Sequence, residues 1–194
     1  MVFVDRVTDD RDCWSVVVDD DMGGRLGMEH LISRGHTAIA FVGHPQNSVK
    51  VSSRLRGARG AIKDSGAKGV ELELITVDSW TVQAGKEAAE LIAKRPPALR
   101  PTAVFCANDM MALGMLQTFE RAGMAVPTDI AIVGYDDLAW SEISMIPLTT
   151  VRQPRHLLGY TAVEMIMELL DHPNQKVNAR HVVLDPELIV REST

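Results

Sequence analysis

Two pairs of polar residues follow short apolar runs: Asn108 and Asp109 after the run ending at Cys106, and Asp136 and Asp137 after the run ending at Val133. An amide offers both a donor and an acceptor while an ionised carboxylate only accepts, so together they can hold neighbouring hydroxyls of a polyol. The same residue types also cap helices and turns, and position alone does not choose between the two roles. Arg54 falls in the first turn of a helical pattern, where its planar fork could meet a diol or a carboxylate, or simply face solvent. Trp80, in Asp78-Ser79-Trp80-Thr81, could stack on the apolar face of a sugar ring or pack beneath a loop. The acidic run Asp19, Asp20 and Asp21 has the chemistry of a hard-cation pocket. Helix capping and the helix dipole explain it equally well.

Covalent chemistry finds no support. There is no G-x-S-x-G, no P-loop and no H-E-x-x-H, and Gly23, Gly24 and Gly27 do not complete a G-x-G-x-x-G. Histidines 30, 36, 44, 156, 172 and 181 are scattered, and Cys13 and Cys106 lie far apart with no metal-ligand spacing, which suits reduced core thiols. We therefore expect no catalytic residue, no metal and no cofactor.

Composition fits a soluble globular protein, with 46% hydrophobic and 24% charged residues. Lys and Arg number 20 against 26 Asp and Glu, and the net charge of −6 opposes broad attraction to nucleic acid. Arg54, Arg56 and Arg59 form a local basic group that reads better as a solvated helix face than as a binding patch. No signal-peptide run follows the first residues, and nothing approaches the ~18 apolar residues of a membrane span. A cytoplasmic protein is expected.

The elements that must position these residues alternate as a parallel sheet with crossover helices requires. Strands are predicted at 16–18, 38–42, 72–77, 103–106 and 130–133, then an extended stretch at 148–151 and short strands at 181–184 and 188–190. Helices are predicted at 22–34, stopped by Gly35, at 52–65, at 82–94, from Asn108 to Gly123, and from Pro154 to about Leu170. In open parallel sheets ligands bind beyond the carboxyl ends of the strands, which is where Asn108 and Asp136 fall. Val2 to Val4 reads as the last half of a buried strand, so the first lobe is expected to be incomplete.

Several segments in order resemble the effector-sensing core of the LacI/GalR family of bacterial transcription regulators. They are G-R-L-G-M-E-H-L-I-S-R-G-H-T-A-I-A-F-V-G from Gly24, R-L-R-G from Arg54, T-A-V-F-C-A-N-D-M-M-A-L-G from Thr102 and V-P-T-D-I-A-I-V-G-Y-D-D from Val126. P-L-T-T-V-R-Q-P from Pro147 and the terminal L-D-P-E-L-I-V-R-E-S-T complete the set. Together they span nearly the whole chain and are highly specific.

The resemblance implies an α/β, periplasmic-binding-protein-like fold of two lobes with parallel Rossmann-like sheets. Residues 1–43 and 154–176 would form the partial first lobe, and 44–153 and 177–194 the second. It implies an effector in the interlobe cleft facing Arg54, Trp80, Asn108, Asp136 and Gln153. Ser48 and Lys50, on a loop that varies among members, are secondary candidates. A homodimer would use Met110, Leu113 and Trp140, the last of which could instead be core. The effector would be a sugar or related polyol, with a purine as the alternative. Operator DNA would be read only by the family's N-terminal helix-turn-helix, which these residues do not include. A solute receptor of an ABC-type transporter and a carboxylate-based enzyme are the rival readings, and the missing signal sequence and the missing metal or base argue against them in turn.

Overall fold

The computed structural model describes residues 1–6, 13–44, 46, 48–171 and 179–194. In chain order the elements are β1 (Val2–Val4), β2 (Trp14–Val18), α1 (Asp20–Ser33), β3 (Ala38–Gly43), α2 (Val49–Asp64), β4 (Glu71–Thr76) and α3 (Val82–Ala93). There follow β5 (Ala103–Cys106), α4 (Asp109–Arg121), β6 (Ala131–Asp136), α5 (Ala139–Ile143), β7 (Thr149–Arg152), α6 (Arg155–Asp171), β8 (His181–Leu184) and β9 (Glu187–Ile189). Among the described residues no helix is long and apolar enough to cross a membrane.

The chain divides into two compact units. The smaller comprises Met1–Asp19 and Gln153–Pro186. Its three strands pair in parallel in the order β1-β2-β8. Alternate residues Trp14, Val16 and Val18 of β2 are buried with Leu158, Ala162 and Met165 of α6, spaced as one helix face. Leu169 packs partly buried against this cluster, while Leu157, Tyr160, Val163, Ile166, Met167 and Leu170 of α6 are exposed.

The larger unit, Asp20–Arg152 with Glu187–Thr194, carries a six-stranded sheet in the order β4-β3-β5-β6-β7-β9. All neighbours are parallel except β7 and β9. The alternation of the pleat distributes the helices. Phe105 points to Gly27 of α1, and Tyr135, two residues beyond Phe105's partner Val133, points to Gly23 of the same helix. Cys106, on the opposite face, meets Met115 of α4. Thus α1 with α2 covers one face, and α3 with α4 the other. Phe41 and Phe105 meet edge to face at 5.5 Å in the core of the first layer.

Both helix pairs approach closely because glycines face backbone. Gly24 of α1 lies on the Arg54 carbonyl of α2, while Gly57 of α2 lies on the Asp21 carbonyl of α1. Gly85 and Gly114 repeat this between α3 and α4, against Met111 and Val82. Gly35 and Gly123 end their helices as predicted, with φ of 88° and 71° in the left-handed region that a side chain disfavours.

The division into units departs from the one expected. Residues 20–43 belong to the larger unit, because β3 lies between β4 and β5 and α1 packs on α2. The chain enters that unit after Asp19, not at His44. Similarly β8 pairs with β2 in the smaller unit, while β9 pairs with β7 in the larger, so the last boundary is Pro186 to Glu187. The expected boundary at 176–177 and His172 lie outside the described residues. The chain passes back to the smaller unit between Arg152 and Gln153, one residue before the expected step from 153 to 154.

Candidate functional site

Buried parallel strands leave only their ends for polar chemistry. At the carboxyl end of β3, Ser48 caps α2, accepting from the Val51 amide at 3.4 Å; the helix starts at Val49, so Arg54 lies in its second turn and not in the first, where the sequence pattern places it. Arg54 is 5% exposed and does not lie on a solvated face. Its Nε donates to Asp20 Oδ1 at 2.8 Å, Nη1 donates to the Ala107 carbonyl at 2.6 Å, and its carbon centre lies 3.5 Å over the Tyr135 ring. Burial works against the charged guanidinium, but Tyr135, Asp20 and Asp136 outweigh it and raise the Arg54 pKa further. The guanidinium therefore joins the start of α1 to the ends of β5 and β6.

Asp20 and Asp21 stand in the first turn of α1, as the capping reading held, but their side chains bind Arg54 and Arg56 of α2. Among the described residues no group of His, Cys, Asp and Glu is arranged to hold a metal ion.

Asn108 is the N-cap of α4. Its Oδ1 accepts from the Met111 amide at 2.9 Å, and its Nδ2 donates to the Trp80 carbonyl at 3.0 Å. The amide thus serves the capping role and also tethers the Trp80 turn to the end of β5. Trp80 is 38% exposed, so it is no core residue.

At the end of β6, Asp136 and Asp137 have φ of 113° and 50°, a conformation that side chains rarely adopt. Asp137 receives Arg152 Nε at 2.6 Å and Arg191 Nη2 at 2.7 Å. Burial pushes its carboxyl up, but the two guanidinium groups outweigh this and hold it below the ordinary range. Asp109 is fully buried and accepts from Leu138, Ser141 and Thr150.

The larger unit therefore brings Arg54, Trp80, Asn108 and Asp136 to the carboxyl ends of its strands. Lys50 is half-buried in the first turn of α2, next to the Ser48 cap, and Gln153 belongs to the smaller unit, where its carbonyl accepts from the Arg155 amide. Met110 and Trp140 are exposed, Trp140 by 64%, and with Leu113 they border an apolar groove of about 470 Å³. Core packing is excluded for Trp140. The sequence reading missed Tyr135, which sits in an otherwise apolar strand next to Asp136; a polar-tipped aromatic at that place was the available signal.

The profile of the family described as periplasmic binding protein-like domain matches residues 28–194. The HTH-type transcriptional repressor PurR of Photobacterium profundum is 36% identical over 174 residues, covering 89% of this chain and 50% of that protein. The ribose operon repressor of Escherichia coli is 35% identical over 172 residues, covering 89% and 51%. The chain spans about half the length of these curated relatives. A LacI family transcriptional regulator from Enterococcus faecium, solved with bound ribose, superimposes with a TM-score of 0.88 at 28% identity, over 100% of this chain and 69% of that one. The chain belongs to the periplasmic binding protein-like domain family, within the branch that forms the effector-binding core of LacI-family regulators.

Proposed function

We propose that this chain senses a sugar or related polyol for a transcriptional repressor, and that it works as a cytoplasmic homodimer without catalysing a reaction. The observation that supports it is the convergence of Arg54, Asn108, Asp136 and the half-exposed Trp80, from separate stretches of sequence, on the strand ends of one sheet. A carboxylate and an amide suit paired hydroxyls, and an indole face suits the C–H side of a sugar ring. The bound ribose in the Enterococcus faecium regulator and the ribose repressor of Escherichia coli favour a sugar of that size. The same indole face would also stack a purine base, which is the second reading. Effector binding would act by stabilising one member of a set of conformations. Operator DNA is assigned to no residue here, since a net charge of −6 does not favour it.

Calorimetric titration of the 194-residue chain with ribose, with hexoses and with purine bases tests the proposal. Ribose binding is expected to weaken by about 10- to 100-fold in Asp136→Ala, the loss of a charge-assisted hydrogen bond, and by a similar factor in Arg54→Lys, which keeps charge but loses the fork. Wild-type affinity in both variants, with thermal melts showing both folded, would remove the site assignment. Binding of purine but no sugar would select the second reading.

A further inference from the structure

We propose that Asp109 is the positioning residue of this site: its buried carboxylate, directly and through Thr150, holds residues 136–138 in the conformation that presents Asp136 at the end of β6. Two consecutive residues with side chains, Asp136 and Asp137, have positive φ, and such a turn persists only where its surroundings over-determine it. The amides that follow those residues show what does so. The Leu138 N–H donates to Asp109 Oδ2 at 2.9 Å, and the Asp137 N–H donates to Thr150 Oγ1 at 3.4 Å. Thr150 in turn donates its hydroxyl proton to Asp109 Oδ1 at 2.6 Å, which leaves its oxygen to accept from Asp137. Ser141 Oγ adds a bond to Oδ2 at 2.6 Å, so the start of α5 is held by the same group.

An acidic residue in the first turn of a helix ordinarily serves that helix's dipole or its free amides. Here the N-cap is Asn108, and the bonds of the Asp109 carboxylate run to β7, α5 and the turn before it. The absence of a Cβ at Gly134 leaves the space that Oδ1 occupies, which is a fitted seat for a carboxylate. The arms of Arg152 and Arg191 secure only the side chain of Asp137. Beyond the ladder that pairs Asp136 with Arg152, Thr150 and Asp109 take up the Asp137 and Leu138 amides of the turn.

Hydrogen exchange on the unliganded 194-residue chain tests the positioning role, and ribose titration tests its consequence, which rests on the sugar reading above. Asp109→Asn turns an NH2 group towards donors, so exchange across residues 135–142 is expected to rise by about tenfold or more while β3 and β5 keep their protection. Ribose affinity is expected to fall by a similar factor. Unchanged protection at Leu138, or a rise spread evenly over the larger unit, would overturn the proposal. Should Asp109→Asn not fold, Thr150→Ser and Thr150→Val decide it: the serine variant is expected to match wild type, the valine variant to lose protection, and equal behaviour of the two would overturn it. A wild-type chain that binds no ribose defeats the sugar reading alone, since the exchange comparison needs no ligand.

Discussion

At the level of single residues, the site's polar groups are used more heavily by the protein than their types foretold. Arg54 binds Asp20, a carbonyl and a ring face at once, and a buried pair of this kind costs ~3–5 kcal/mol when one partner is removed. Asp109 carries the sharper signature. Burial pushes its carboxyl from 3.8 up to about 6, against the lowering effect of Ser141, Thr150 and the Leu138 amide, with a smaller push from Asp136. Between about pH 4 and pH 6 the folded chain keeps a proton on Asp109 that the unfolded chain has lost, so this group's contribution to stability declines as pH rises through that window and is level above it. The stability difference between wild type and Asp109→Asn should therefore fall as pH rises from 4 to 6, by roughly 3 kcal/mol at most. His30 and His36, lowered mainly by burial, act in the opposite sense but are common to both proteins and cancel. Urea melts at pH 4, 5, 6 and 7 measure this, and a difference independent of pH would show that Asp109 is not the titrating group.

At the level of elements, glycines decide how near the helices come. A methyl group at Gly114 would run into the Val82 carbonyl of α3, where backbone must yield, whereas a methyl at Gly159 of α6 meets nothing within 4 Å. Gly114→Ala is expected to destabilise by ~1–3 kcal/mol, lowering the melting temperature by roughly 3–10 °C, while Gly159→Ala raises it slightly through helix propensity. Calorimetric melts that show the same sign for both would refute the packing argument. This contrast also shows what could be read beforehand. The helix from Asn108 and the strand 103–106 were plain from capping and apolar runs, as was the placing of Asn108 and Asp136 at strand ends. Short α5 was missed, since Leu138 to Met145 holds too few residues for a periodic pattern. The affiliation of 20–43 was misread because buried parallel strands are apolar on both faces and do not announce their sheet. Nor could spacing show that Asp20 reaches Arg54, since that contact depends on α1 and α2 crossing at their glycines.

At the level of the molecule, the described residues of the larger unit include an apolar region that its own fold leaves uncovered. Met110, Trp140, Ile143 and Met145 are exposed beside the groove lined by Val82 and Leu113, and contiguous apolar surface of this kind marks association sites. A second copy is the occupant we favour. The net charge of −6 makes copies repel at a distance, so association needs a specific apolar contact, and a two-fold arrangement lets one patch serve both sides. The position of the patch bears on signalling. Asp109 lies between Asn108 and Met110 in sequence and holds Ser141 next to Trp140, so the group that fixes the candidate ligand turn also fixes the rim of the association surface. Sedimentation equilibrium should find a dimer for the wild-type chain. Trp140→Glu should weaken that dimer by about 100-fold or more, as loss of a central aromatic anchor does, while Trp140→Phe retains most of it. A monomeric wild type, or a dimer indifferent to Trp140→Glu, would assign the patch to another partner.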